Sequence, residues 1–277
     1  GDDRLLGGDQ DDILTGGKGK DRLFGGNGDD GLNGEADDDR SYGQNGDDTV
    51  YNSAGSVRTA GDDFLSGGRG NDRVFASTGS NKMFGGPGND QLSMSNDAYG
   101  KPQVMRGGGG DDRISGANGA DELRGNGGKD SILGRGGKDT IIVNGGTNTV
   151  DSGLQPDLIL FGKGQHKITA GSGDRVRPIT DSKAARVTVN LIEDSNKASD
   201  EGASVVGGNG PDRVIVTTGH TQSGWVFVNT RGGDDVIKGG SSYGDYWGGK
   251  GNDKVTSTNT SSWCGGGHFF NDVDNQT

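Results

Sequence analysis

Aspartate carries most of the chemistry open to this chain. Of its 40 acidic residues, 36 are Asp and four are Glu: Glu35, Glu122, Glu193 and Glu201. Paired carboxylates such as Asp29-Asp30 and Asp47-Asp48 suit acid–base work in general. A solvated acidic helix face would use Glu freely, however, and short-reach Asp beside glycine points to turns and metal-binding loops. Other constellations are thin. His220 and Ser223, with Asp nearby, lack the Gly-x-Ser-x-Gly elbow of a hydrolase and read as a polar loop. Cys264 and His268 are two ligands where a zinc site needs four. Asn259-Thr260-Ser261 is a glycosylation sequon by pattern only. No credible catalytic constellation is present, so the chain reads as a non-enzyme, with any catalytic domain lying elsewhere.

The elements that must position these aspartates follow from a period of nine. Residues 16–24 and 25–33 both read Gly-Gly-x-Gly-x-Asp-x-U-x, where U is a large apolar residue, and the full pattern returns at 67–75, 85–93, 107–115, 207–215 and 248–256. Looser copies fall on the same grid at 7–15, 43–51, 58–66, 116–124, 125–133, 134–142, 152–160 and 230–238. Gly1 to Leu6 form the last two-thirds of a repeat, so the chain reads as beginning in mid-unit. The x-U-x segment is a minimal strand that turns U inward. The inward set is Leu14, Leu23, Leu32, Val50, Leu65, Val74, Leu92, Ile114, Leu123, Ile132, Ile141, Ile159, Val214, Ile237 and Val255.

Composition excludes several classes. With 59 Gly among 277 residues and 27% hydrophobic residues, a large conventional core is out of reach, and composition alone would suggest an acidic disordered polymer; the period argues against that. Five Pro and no Gly-X-Y period exclude collagen. A net charge of −12 argues against nucleic acid and anionic membranes. No apolar run approaches the ~20 residues of a transmembrane helix. A single cysteine excludes an internal disulfide framework.

On these repeats the sequence resembles the RTX (repeats-in-toxin, hemolysin-type) calcium-binding nonapeptide family, over roughly three quarters of its length. The resemblance implies an all-β fold, a parallel β-roll or β-helix solenoid in which two nonapeptides make one coil and Ca²⁺ sits between turns. Every second repeat would then stack on the same edge, at the ~4.8 Å spacing of paired strands. Bare carboxylates at that distance repel by roughly 3–4 kcal/mol at an effective dielectric near 20. A divalent cation reverses the sign. Calcium suits the site because it takes six to eight oxygens flexibly, whereas Mg²⁺ demands tight octahedral geometry and keeps its waters. Several ions are expected, about six of which would balance the formal charge.

By the same resemblance each ion takes Asp side chains from the sixth position and carbonyls of the glycine turns. The metal ligands expected are Asp3, Asp12, Asp21, Asp30, Asp39, Asp48, Asp63, Asp72, Asp90, Asp112, Asp121, Asp130, Asp139, Asp157, Asp212, Asp235 and Asp253. Asp12, Asp30 and Asp48 would share one edge with each other, Asp3 and Asp21 the opposite one; Asp112 and Asp130 pair likewise, as do Asp121 and Asp139. Asp39 should be weaker, because Ser41 stands where the apolar residue belongs. The acid is replaced by Asn81, Gln103, Asn148, His166 and Arg175. The amides would complete a site poorly, and Arg175 would act as an internal cation.

The expected organisation is an RTX-like β-roll over 1–178 with loop insertions near 52–57 and 94–97, a non-repeat insertion or cap over 179–204, and resumed repeats with a C-terminal cap over 205–277. Alternation of Val187, Val189 and Leu191, of Val214 and Val216, and of Val226 and Val228 predicts longer strands in the C-terminal part. Trp225, Tyr243, Tyr246, Trp247, Trp263, Phe269 and Phe270 gather there as core filling, or alternatively as a glycan-stacking surface. The functional reading is a secreted or cell-surface, calcium-dependent structural module of a sheath, surface-layer, adhesive or fibre protein, with self-association through open sheet ends. Two alternatives stay open: a carbohydrate-binding surface module, and the repeat domain of a larger secreted toxin, protease, lipase or epimerase.

Overall fold

The computed structural model describes residues 1–53, 61–94, 100–171, 173–179, 185–193, 202–218, 226–239, 244–257 and 269–272. Among them every helical or extended element is a β-strand. The chain divides into two compact units, Gly1–Asp139 and Thr140–Thr277.

In the first unit one sheet contains Arg4–Gly8, Arg22–Asn27, Arg40–Asn45, Phe64–Arg69, Lys82–Pro87, Val104–Gly109 and Glu122–Gly127. The other contains Ile13–Lys18, Gly31–Ala36, Thr49–Tyr51, Arg73–Ala76, Gln91–Met94, Arg113–Ser115 and Ser131–Leu133. Strands alternate between the sheets along the chain and pair in parallel with the strand two places on. Each coil of this parallel roll therefore uses two nonapeptides. Register follows the apolar column: Leu5, Leu23, Ser41, Leu65, Met83, Met105 and Leu123 lie opposite one another in turn on the first sheet. Leu14, Leu32, Val50, Val74, Leu92, Ile114 and Ile132 do so on the second.

A one-residue slip would turn the buried column outward, so the alternation itself pins the register. The two insertions widen the coil spacing from 18 residues to 24 and 22 without breaking pairing. Residues 54–60 and 95–99, where most of the inserted loops fall, lie outside the described residues. On the outer face Phe24 stacks on Tyr42 at 5.1 Å, and Tyr42 leads through Phe64 to Phe84. Such cross-strand aromatic pairs reinforce the register.

Strands run longer than the minimal x-U-x. Arg113–Ser115 keeps three residues, but Arg22–Asn27 has six and continues into the Gly-Gly pair. The first glycine of a repeat thus faces inward beside U. Glycine at the second and fourth positions answers a different need. Gly26 and Gly28 both have φ of +124°, and a Cβ on either would strike backbone of the preceding coil. Glu35, Asp37, Gln44, Asn126, Arg135 and Arg231, the described non-glycine residues with positive φ, all occupy these two positions.

The second unit repeats the plan with more apolar strands. Ile141, Ile159, Val176, Val205, Val228 and Tyr246 form one column. Val150, Ile168, Val189, Val214, Ile237 and Val255 form the other. Ala185–Glu193 is nine residues long and pairs on both sides, with Gly164–Ala170 and Arg213–Thr218. Of the fifteen inward residues expected from sequence, thirteen are buried, and Leu14 and Val255 are half-buried.

Ser41 is the flaw in this column. It is fully buried between Leu23 and Leu65 in register, and its hydroxyl has no hydrogen-bond partner. Replacing it removes an unsatisfied polar group and adds apolar contact. Ser41→Val is expected to raise stability by about 1–2 kcal/mol, read as a higher melting temperature in calcium. A lower one would mean that the space beside Ser41 is too small for two methyl groups.

Candidate metal sites along the turns

From Asp21 onward the sixth-position aspartates use one carboxylate oxygen to tie their coil to the previous one. In the first unit the backbone N–H of Asp3 donates to Asp21 Oδ1 at 2.7 Å, that of Asp21 to Asp39, and that of Asp39 to Asp63. On the other edge Asp12, Asp30, Asp48, Asp72, Asp90, Asp112 and Asp130 form the same ladder, at 2.8–3.1 Å. Asp121 donates to Asp139 at 2.8 Å. Asp3 is exposed and Asp12 half-buried, whereas the later members are buried. The carboxylates that the sequence assigned to shared edges thus meet through their backbones.

The second oxygen explains the chemistry. Oδ2 of Asp21, Asp30, Asp39, Asp48, Asp72, Asp90 and Asp112 is buried and has no hydrogen-bond partner. Leaving one buried anionic acceptor unsatisfied is costly, and here the situation recurs from coil to coil through most of the first unit. These oxygens share their space with backbone carbonyls. A Cβ on Gly7 would lie 2.6 Å from Asp12 Oδ2 and 2.5 Å from the carbonyl oxygen of Gly25, one coil on. Gly16 has the same relation to Asp21 and the Gly34 carbonyl, and Gly25 to Asp30 and the Gly43 carbonyl. The first glycine therefore keeps open a small chamber walled by carboxylate and carbonyl oxygen, without a donor, which is the donor set a hard divalent cation requires. Among the described residues no three carboxylate, imidazole or thiolate groups converge, so carbonyls must complete the shell.

Burial pushes the carboxyl groups of Asp39, Asp48, Asp90 and Asp235 up to about 6, and those of Asp63, Asp72, Asp112 and Asp212 up to about 7. Neighbouring carboxylates push the same way, and the backbone hydrogen bonds oppose it. Asp30, Asp130 and Asp253 are raised for the same first reason.

Not every slot is open. Asp63 Oδ2 contacts the Asn52 amide nitrogen; Asp121 Oδ2 accepts from Ala117 N at 2.7 Å; Asp212 Oδ2 accepts from Gly208 N at 2.8 Å. In the second unit Val187 N donates to Asp212 Oδ1, Asp212 N to Asp235 and Asp235 N to Asp253. Asp157 is buried, and its N–H donates to Asp174 Oδ1 at 2.8 Å.

That last bond corrects the reading of Arg175. The coil here is one residue short, so Asp174 fills the slot and Arg175 opens the next strand, pairing with Leu158 as an exposed residue. It is no internal cation. Asp174 was missed because a fixed grid of nine cannot register a deletion. Its Oδ2 accepts from Ser152 Oγ and Gly171 N, both at 2.7 Å.

A second ladder also went unforeseen. Fifth-position side chains accept in the opposite direction, from the same position one coil later: Asp11 from Asp29 N, Asp29 from Asp47 N, Asp47 from Asn71 N, Asn71 from Asn89 N and Asn89 from Asp111 N. The signal was available as the recurrent Asp or Asn before the sixth-position acid.

His220, Ser223, Cys264, His268 and the sequon at Asn259 lie outside the described residues, as do Trp225, Tyr243 and Trp263. Of the remaining C-terminal aromatics Tyr246 is buried, Trp247 is 42% exposed, and Phe269 and Phe270 belong to a strand. No described helix is long and apolar enough to cross a membrane.

Parallel coils of two short strands, glycine turns and inward aspartates at each turn define the class: a calcium-binding β-roll. The family model of the RTX calcium-binding nonapeptide repeat matches residues 1–32, 21–50, 32–56, 58–92, 106–141 and 124–159, just over half of the chain. The chain belongs to that family, whose repeats bind Ca²⁺ between their turns. No curated protein matches it significantly.

Proposed function

We propose that this chain is an extracellular structural module that folds on calcium, part of a surface, adhesive, fibre or layer-forming assembly. The observation that carries the reading is the row of buried Oδ2 atoms of Asp21, Asp30, Asp39, Asp48, Asp72, Asp90 and Asp112, each beside an inward glycine and without a hydrogen-bond donor. Asp21, Asp30, Asp39, Asp48, Asp72, Asp90 and Asp112 would supply those oxygens as ligands, and glycine carbonyls the remainder. Asp3, Asp12, Asp130, Asp139, Asp157, Asp235 and Asp253 occupy the same slot and are assigned to the same role. Asp63, Asp121 and Asp212 would contribute more weakly, because protein donors already hold their second oxygen.

Calcium supplies the positive charge that makes stacked carboxylates tolerable. Since it binds the folded coils and not the extended chain, it stabilises them by mass action. Low intracellular calcium would keep the chain extended and exportable, and extracellular calcium, matched to sites of about 10⁻⁴–10⁻³ M, would fold it. The experiment is circular dichroism in excess EGTA and in millimolar calcium. Strand signal is expected only with the ion, and equal signal in both would refute the switch.

A further inference from the structure

In four repeats an amide or an imidazole stands in the sixth-position slot, and in the same four the first-position glycine is also replaced. Ala76 precedes Asn81, Met94 precedes Gln103, Val143 precedes Asn148 and Phe161 precedes His166. Each is the inward first-position residue paired with the slot at the following turn; three pairs keep the five-residue offset, and Met94 to Gln103 spans the four-residue insertion. All eight are buried. Where the glycine holds a chamber open for oxygen, carbon now fills it. Met94 Sδ lies 4.0 Å from Asn81 Nδ2, and the Phe161 and His166 rings are 6.2 Å apart.

The polar half of each pair turns an N–H donor toward turn carbonyls. Asn81 Nδ2 donates to Thr78 O at 2.9 Å and to Gly79 O at 3.3 Å. Gln103 Nε2 donates to Gly79 O and Lys101 O, both at 2.8 Å. Asn148 Nδ2 donates to Gly145 O at 2.9 Å. His166 Nε2 lies 3.2 Å from Gly162 O, while its Nδ1 faces Asn148 Nδ2 at 3.3 Å; a proton on Nε2 satisfies both contacts. Meanwhile the acceptor role persists: Asp63 N donates to Asn81 Oδ1 and Asn81 N to Gln103 Oε1, each at 3.0 Å. The flanking acids are closed as well, Asp63 by Asn52 and Asp121 by Ala117 N. An amide supplies both lone pair and donor, so it serves the backbone ladder and the carbonyls with no charge to balance.

We propose that these four repeats are metal-free clasps, in which a paired replacement of first-position glycine and sixth-position aspartate fills with carbon and an N–H donor the chamber that other repeats hold open for calcium. In the first unit this closes one edge from Asp63 to Asp121, while Asp72, Asp90 and Asp112 on the other edge remain cation sites. The inference rests on the ligand assignment above and adds which slots calcium does not enter.

The test is a reciprocal swap in the full chain. Gly85→Ala/Asp90→Asn transplants the Ala76/Asn81 pair into a repeat of the same spacing, and Ala76→Gly/Asn81→Asp does the reverse. The first is expected to bind fewer ions by equilibrium dialysis with calcium alone and to fold at a several-fold lower calcium midpoint. The second is expected to need roughly tenfold more calcium to fold. A merely structural pair would make both swaps raise the midpoint, and that result, or unchanged midpoints in both, overturns the clasp. If the wild-type chain binds no calcium in dialysis, the functional reading fails by itself. The clasp is then decided by melting temperature, which the first swap must raise and the second lower.

Discussion

Stripped of calcium, the chain is expected to be more stable near pH 5 than near pH 8. Asp39, Asp48, Asp90 and Asp235 titrate at about 6 in the folded coils, and Asp63, Asp72, Asp112 and Asp212 at about 7, because burial disfavours the charged form. In the unfolded chain each returns to about 3.9. A folded value above the unfolded one means that the folded state binds protons more tightly. The resulting stability is fully present below about pH 4 and is lost as pH rises through 6 to 7. With eight groups moving the same way, the combined effect is on the order of the ~5–15 kcal/mol that stabilises an ordinary domain. In millimolar calcium the slope must reverse, since protons and Ca²⁺ compete for the same carboxylates. Thermal melts at pH 5 and pH 8, each with EGTA and with calcium, check the sign four ways. Greater stability at pH 8 in EGTA would show that the carboxylates are solvated rather than buried.

The grid of nine made the roll readable because two independent constraints share one period. Leu23, Leu32 and Val50 fall inward for the same reason that Asp21, Asp30 and Asp48 meet at the turns: a coil brings the same position back once every 18 residues. Insertions did not spoil this, as the pairing of Val50 with Val74 across residues 54–60 shows. What stayed hidden depends on a residue's partner rather than its own slot. Asp174 moved by one place and was lost to the grid. The fifth-position ladder was overlooked because a carboxylate beside a metal-type acid reads as a spare charge, although Asp29 and Asp47 accept backbone N–H groups from neighbouring coils. Asn81 and His166 were visible as departures, but their meaning sits at Ala76 and Phe161, which look like ordinary apolar residues until the chamber they fill is seen. In 179–204 the repeat vanished while the strand alternation of Val187, Val189 and Leu191 persisted, because pairing with Gly164–Ala170 requires only that alternation.

The same chamber separates glycines that matter from those that do not. Gly25 has no positive φ, so alanine imposes no backbone strain there. Its Cβ would nevertheless contact Asp30 Oδ2 and stand 2.7 Å from the Gly43 carbonyl oxygen and 2.8 Å from Asp30 Cγ. Both oxygens belong to the proposed calcium shell, and neither can retreat, since Asp30 Oδ1 is tied to Asp12 N and Gly43 lies in a paired strand. Gly25→Ala is therefore expected to lose calcium at that turn and to cost about 1–3 kcal/mol from overpacking alone, with the lost ion adding to it. Gly127 provides the contrast: it too lacks positive φ, and a Cβ there meets nothing within 4 Å. Gly127→Ala should be neutral, or stabilising by about 0.4–1 kcal/mol through the unfolded chain. Calcium titrations followed by melts of the two variants decide the matter. Equal losses would mean that the space beside Asp30 is not what singles out Gly25, and an unaltered Gly25→Ala would remove the chamber from which the calcium assignment is built.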